Sequence, residues 1–133
     1  MQARVASARS RGTARLPGFR LTLDKRSRDG SGKANLRPDP SQAVFGVVYA
    51  LERRHWPDLD ACEPGYRRLS VRVELEDGPV EAFTYLSQDF TPTPVAYDWY
   101  KALIVAGASE HGLPLAWRQQ LAALPARPDP RGG

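Results

Sequence analysis

The residues best suited to chemistry lie together in the segment Leu59-Asp60-Ala61-Cys62-Glu63, which Pro64-Gly65 follows. Pro64 disfavours the helical conformation for the residue before it, so Glu63 should lie at a structured corner rather than along a helix. A carboxylate held at such a corner can accept and return a proton, which is the role of a general acid/base. The alternative is a solvated carboxylate at a helix end, since most glutamates are surface groups.

Two neighbours of Glu63 could also take part in chemistry. Asp60 could form a carboxylate pair with Glu63, although capping or solvation is the commoner role of an aspartate near a turn. Cys62 is the one cysteine of the chain, which excludes an intramolecular disulfide. No helix N-terminus or nearby histidine is predicted to activate it as a nucleophile, so we interpret it as a small buried apolar side chain.

Other candidates carry weaker signals. His55 and His111 are far apart in the sequence and have no cysteine or carboxylate partner at ligand spacing, so we predict no metal site. Tyr100 could bind a substrate carboxylate through its hydroxyl, or it could be a core residue on the apolar face of a helix.

Length and composition predict one domain: the chain has 133 residues, of which 41% are hydrophobic. Residues 1–40 hold 10 Lys and Arg against 3 Asp and Glu, whereas the rest hold 9 against 12. The basic third could be a nucleic-acid arm, but it has no run of five basic residues and Phe19 is its one aromatic residue. We therefore interpret it as a solvated surface and expect no nucleic-acid partner.

No membrane partner is expected either. The longest apolar run, Ala102–Ala106, is far below the roughly 20 residues of a membrane span. The first 18 residues contain no stretch that resembles a signal peptide. We expect a soluble, cytoplasmic protein.

Strands are predicted in the first two thirds of the chain. Phe19, Leu21 and Leu23 alternate with polar residues, which predicts a strand over Gly18–Leu23 and then a loop over residues 26–35. The apolar run at 43–51 predicts a buried strand, central in a sheet. Residues 66–75 alternate clearly, and the turn Asp77-Gly78-Pro79 returns them into 80–86 as an antiparallel hairpin.

Helices are predicted mainly at the end. Residues 52–62 should form a short helical or turn segment interrupted by Pro57. Residues 97–111 should form a helix that stops at Gly112, and 115–124 a second one. Strands first and helices last indicate the α+β class, in a domain of residues 1–124 with a disordered tail at 125–133. The side chains expected to pack the second helix on the sheet are Leu115, Trp117, Leu121 and Leu124.

Three stretches together carry a resemblance: LPGFRLTL, LDACEPGYRRLSVRVEL and YDWYKALIVAGASEHGLP. In this order and spacing, over roughly residues 14–121, the chain resembles the γ-glutamylcyclotransferase family, which includes the AIG2-like proteins. The resemblance implies an α+β fold with a small mixed β-barrel or sheet and flanking C-terminal helices. It also implies a monomeric or homodimeric enzyme that releases 5-oxoproline from γ-glutamyl amines or dipeptides without a cofactor.

The resemblance also implies a site. Glu63 takes the place of the family's catalytic acid/base, and Tyr100, seven residues before Gly107, takes that of the tyrosine lining the substrate pocket; Tyr97 is out of register. Family members begin with a strand ending in Tyr-Gly-Ser-Asn, whose loop holds the γ-glutamyl head group, and these 133 residues lack that tetrapeptide. The expectation is therefore an enzyme that lacks its first strand, with an N-terminally truncated, non-catalytic binding domain as the alternative.

Overall fold

The computed structural model of the chain describes residues 9–61 and 65–131. Most of them form a four-stranded antiparallel sheet in the order β2-β1-β3-β4. Its strands are β1 (Arg9–Arg26), β2 (Gly32–Ala50), β3 (Arg67–Leu75) and β4 (Gly78–Leu86). β1 and β2 pair along most of their length, so the predicted strand at 18–23 is confirmed and is part of a longer one.

The contact between β1 and β3 is short. Only Ala14 with Leu75 and Arg15 with Glu74 are paired between these strands. An apolar groove of about 680 Å³ lies beside this short contact. The apolar residues that line it are Leu16, Pro17, Phe19, Leu69, Val71, Leu75 and Pro79.

The hairpin of β3 and β4 is confirmed. Val71 and Val73 are buried together with Ala14 and Leu16 of β1, as the alternation of apolar residues predicted. Leu75 pairs with Gly78, so the turn consists of residues 76–77.

The two edge strands of the sheet, β2 and β4, meet through one side chain. Asn35 is only 2% exposed. Its Nδ2 donates to the carbonyl of Ser87, and its Oδ1 accepts the N–H of Ser87, both at 2.9 Å. Ser87 directly follows β4. An amide side chain therefore links β2 to the end of β4, although backbone pairing among the described residues does not close the sheet into a barrel.

The two C-terminal helices pack against one side of β2. α1 (Trp56–Ala61) follows a 3₁₀ turn at Arg53–His55, and β5 (Ala96–Tyr97) leads into α2 (Asp98–Glu110) and α3 (Leu115–Ala122). Pro57 lies in the first turn of α1, where its missing N–H interrupts no helical bond. The α+β class and the two C-terminal helices are confirmed. None of the helices in the described ranges is long and apolar enough to cross a membrane.

One packing prediction for α3 is wrong. Trp117 and Leu121 are buried, and the Trp117 ring lies 5.8 Å from that of Phe45 on β2. Leu115, however, is 61% exposed. It is the first residue of α3, before the helix has brought its apolar face onto β2.

The predicted central position of residues 43–51 is also wrong. All but the last of them lie in β2, at the edge of the sheet, and the run is half-buried. The run is apolar because both faces of the strand are covered: Val44 packs against the core of the sheet and also against the helices. The predicted loop is shorter than expected as well, because residues 32–35 already belong to β2.

The end of the chain differs from the disordered tail predicted at 125–133. β6 (Ala126–Arg127) pairs in parallel with β5. Arg127 Nη2 donates to the carbonyl of Gly30 at 3.1 Å, and Trp99 Nε1 donates to Asp129 at 3.0 Å. The partners of these charged residues lie far away in the sequence, so the local composition gave no sign of them.

Candidate active site

Two tyrosine hydroxyls converge on the backbone of Ala34 in β2. Ala34 has no partner on β1, because the register shifts between Thr22 and Lys25. Its N–H donates to Tyr100 Oη at 3.0 Å, and Tyr66 Oη donates to its carbonyl at 2.7 Å. One strand residue thus fixes two phenols, one from the first turn of α2 and one from the segment before β3.

The Tyr100 hydroxyl is therefore held at the sheet edge and is not enclosed in the core. In its bond with Ala34 it acts as the acceptor. Tyr97 is in a different position: it is 2% exposed, and its hydroxyl donates to the carbonyl of Asp29. The two tyrosines that sequence spacing distinguished thus have different surroundings.

A paired lysine borders Tyr100. Lys33 Nζ lies 5.0 Å from the centroid of the Tyr100 ring and 5.3 Å from that of Trp99. It donates to Asp29 Oδ2 and to Ser31 Oγ, both at 2.7 Å. Burial raises the pKa of Asp29, but the hydrogen bonds from Lys33 and Ser31 outweigh it and hold that pKa well below its usual range. Asp29 is therefore ionised at neutral pH and forms an ion pair with Lys33.

A second lysine borders Tyr66. Lys25 Nζ lies 5.5 Å from the centroid of the Tyr66 ring and donates to the carbonyl of Arg26 at 2.7 Å. Gly65 makes room for it, since a β-carbon at Gly65 would lie 2.6 Å from Lys25 Nζ. Gly65 also has a φ of +82°, a conformation that side chains rarely adopt. Tyr100, Ala34, Tyr66 and Lys25 therefore form one continuous group of contacts.

Glu63, the predicted acid/base, and its neighbour Cys62 lie outside the described residues. The helix before them is described: Tyr85 Oη on β4 donates to Asp60 Oδ1 at 2.5 Å, and Arg68 Nη1 on β3 lies 3.6 Å from Asp60 Oδ2. The ring of Trp56 meets that of Phe83 edge to face, with centroids 4.9 Å apart. These contacts attach α1 to the hairpin, and Asp60 has a structural partner there.

The histidines are in separate elements. His55 ends the 3₁₀ turn before α1, and His111 follows the last turn of α2, where its N–H donates to the carbonyl of Gly107 at 3.0 Å. Within residues 9–61 and 65–131, no group of three His, Cys, Asp or Glu side chains is arranged to hold a metal ion.

Comparison with known proteins defines the family. The sequence profile of the AIG2-like family matches residues 43–121, which is more than half of the chain. The chain belongs to the AIG2-like family.

Relatives of this AIG2-like chain carry a functional name. The γ-glutamylcyclotransferase of Homo sapiens is 29% identical over 121 residues, covering 84% of this chain, and that of Mus musculus is 27% identical over the same length. The chain spans 64% of the length of both relatives. A solved structure of a γ-glutamyl cyclotransferase has a TM-score of 0.86 at 28% identity, over 93% of this chain and 79% of that one. YkqA from Bacillus subtilis shares the fold, with a TM-score of 0.76 at 23% identity over 88% of this chain and 46% of that one.

Of the predicted site residues, Tyr100 belongs to the group of contacts that also contains Ala34, Tyr66 and Lys25. Glu63 follows α1 in the sequence and precedes Gly65 by two positions. Sequence reasoning missed Tyr66 and Lys25. The Pro64-Gly65 pair could have drawn attention to Tyr66, because it predicts a sharp turn just before it. Nothing in the sequence indicated Lys25, which reaches Gly65 only through the folding of β1.

Proposed function

We propose that this chain acts as a γ-glutamylcyclotransferase, which releases 5-oxoproline and a free amine or amino acid from γ-glutamyl compounds. The observation that carries the proposal is the convergence of Tyr100 and Tyr66 on Ala34; Tyr66 comes three positions after Glu63 in the sequence. Support comes from the family of the chain and from relatives named for this activity.

The substrate brings its own nucleophile. The α-amine attacks the γ-carbonyl carbon, a C–N bond closes the five-membered lactam, and the C–N bond to the leaving amine breaks. The protein must hold the two groups together, take a proton from the α-ammonium, give one to the leaving amine and stabilise the oxyanion. An α-ammonium has a pKa of about 7.7–8.0, so it must lose a proton before it can attack.

We assign the proton transfers to Glu63. One carboxylate beside the α-ammonium can accept its proton and then deliver it to the leaving amine, so no second catalytic acid is needed. This assignment rests on the Leu-Asp-Ala-Cys-Glu pattern and on the corner that Pro64 predicts at Glu63. We assign substrate binding to Tyr100, whose oxygen is fixed by the Ala34 N–H and which takes the place of the family's pocket tyrosine.

The γ-glutamyl head group needs backbone donors, which the family resemblance assigns to the Tyr-Gly-Ser-Asn loop. That tetrapeptide is not in the sequence. We infer that the strand carrying it would lie in the apolar groove between β1 and β3, because pairing between these strands is limited to two residue pairs. The absence of the tetrapeptide is also what favours the second candidate function, a non-catalytic binding domain.

We further infer a cytoplasmic protein, a monomer or homodimer, that acts on small γ-glutamyl substrates with no cofactor and no nucleic-acid or membrane partner. Several basic residues of β1 support the absence of a nucleic-acid partner, because they are paired with acidic residues and do not form a cluster for phosphate binding. Arg15 lies 2.8 Å from Glu74, Arg20 lies 3.7 Å from Asp39, and Arg26 lies 3.2 Å from Asp89.

The test measures 5-oxoproline released from γ-glutamyl-alanine and from γ-glutamyl-ethylamide. The chain is assayed as it is, and also preceded by the first strand and loop of the human relative. We expect activity from the extended chain and weaker activity or none from the chain alone. If neither form releases 5-oxoproline while the human enzyme does so in the same assay, the binding-domain function replaces the enzyme.

A further inference from the structure

We infer that Lys25 binds a carboxylate of the substrate in the candidate active site. This inference rests on the proposed function of the same site. Lys25 was absent from the sequence-predicted site, and the structure places its ammonium beside Gly65, two residues after Glu63. It would make the site selective for anionic ligands.

The Lys25 ammonium lies against Gly65. A β-carbon there would lie 2.6 Å from Lys25 Nζ and 2.9 Å from its Cε, so the lysine fills the volume that any other side chain would take. The Tyr66 ring lies beside the ammonium, and the Tyr66 hydroxyl is tied to Ala34. The charge is therefore placed next to Tyr66, whose hydroxyl shares the backbone of Ala34 with that of Tyr100.

Lys25 and Lys33 face each other across the β1–β2 ladder and differ in their carboxylate partners. Lys33 is neutralised by Asp29 at 2.7 Å. Among the described residues, no carboxylate forms an ion pair with Lys25, and its recorded hydrogen bond goes to the neutral carbonyl of Arg26. An ammonium has three N–H donors, so donors remain for an anion.

A carboxylate is the anion that γ-glutamyl compounds bring. Every such compound has an α-carboxylate, and those that release an amino acid have a second one on the leaving group. A charge-assisted N–H···O bond to either is about twice as strong as a neutral one. Binding through Lys25 would lower KM without taking part in the proton transfers.

The experiment compares Lys25→Gln with Lys25→Arg, and uses Lys101→Gln on α2 as the control for loss of one lysine charge. KM and kcat are measured on γ-glutamyl-alanine and γ-glutamyl-ethylamide, with the form of the protein that is active. For Lys25→Gln we expect KM to rise about tenfold with kcat nearly unchanged. A rise on both substrates identifies the α-carboxylate, and a rise on γ-glutamyl-alanine alone identifies the carboxylate of the leaving group.

Two further measurements separate binding from a structural role. Lys25→Arg should restore most of the lost affinity, because arginine keeps the charge. Added salt should raise KM for wild type more than for Lys25→Gln, since screening weakens a charge that the variant lacks. The thermal melts of all variants should stay close to that of wild type.

Several results would overturn the inference. Unchanged KM on both substrates would do so, and so would a fall in kcat with a shifted acidic limb of the pH profile, which would show that Lys25 pairs with Glu63.

If wild type releases no 5-oxoproline, the proposed function fails separately. Lys25 is then tested by NMR titrations that measure the affinity of wild type and Lys25→Gln for small ligands. 5-Oxoproline is compared with 2-pyrrolidinone, which lacks the carboxylate, and alanine is compared with ethylamine. Equal affinities of wild type and Lys25→Gln for 5-oxoproline and for alanine overturn it.

Discussion

Asn35→Ala should strongly destabilise the fold, because the Asn35 side chain is the link between the edge strands. Removing it leaves the N–H and the carbonyl of Ser87 without these partners, and Ser87 is only 3% exposed. It also removes one of the bonds to Asp24, from Asn35 Nδ2 at 2.9 Å. Each buried polar group left unpaired costs about 1–3 kcal/mol, so two of them cost about 2–6 kcal/mol.

That loss is a large part of the roughly 5–15 kcal/mol that stabilises a typical domain. Urea unfolding followed by circular dichroism measures it, and we expect a lower midpoint with an unchanged slope. Gln42→Ala removes an amide from an exposed position of the same strand and should change stability by less than about 0.5 kcal/mol. If Asn35→Ala costs less than about 1 kcal/mol, the sheet edges are not held together by this side chain.

Three more results are expected. Burial raises the pKa of Asp24, but hydrogen bonds from Thr22, Asn35 and Arg37 bring it below the usual value. The charge of Asp24 therefore stabilises the fold above about pH 4, and this stabilisation is lost as pH falls through the folded pKa. Urea unfolding of Asp24→Asn should therefore depend less on pH below that point, and an unchanged dependence would show that the Asp24 charge is not stabilising. Deleting residues 126–133 should lower the urea midpoint, because Arg127 and Asp129 no longer hold Gly30 and Trp99; an unchanged midpoint would mean that the tail contributes nothing. Tyr100→Phe should reduce kcat/KM about tenfold or more through the lost hydroxyl, and equal kinetics would remove Tyr100 from the site.

Local patterns predicted much of the fold. The alternation of Val71 and Val73 with polar residues predicted that both face the core, and Gly112 follows α2 with a φ of +65°, as its position predicted. The position of β2 could not be predicted in this way. An apolar run shows that both faces of a strand are covered, and it does not show whether the strand has a neighbour on each side.

The site was predicted less completely than the fold. Spacing made Tyr100 a candidate because its helix is regular and the family pattern continues through it. Tyr66 and Lys25 became candidates only through the structure, since the approach of Lys25 to Gly65 joins residues 40 positions apart. The tail was mispredicted for the same reason, because Arg127 and Asp129 find their partners at Gly30 and Trp99.

The most direct test of the account is the rate of 5-oxoproline release by Glu63→Gln, measured beside the matched control Glu110→Gln at the exposed end of α2. Glutamine keeps the size and hydrogen bonding of glutamate but cannot accept the proton of the α-ammonium. We therefore expect kcat to fall by about 10²–10⁴ for Glu63→Gln with little change in KM, and no change for Glu110→Gln. If Glu63→Gln keeps more than about a tenth of the activity of wild type, Glu63 is not the proton carrier and the proposed mechanism is wrong.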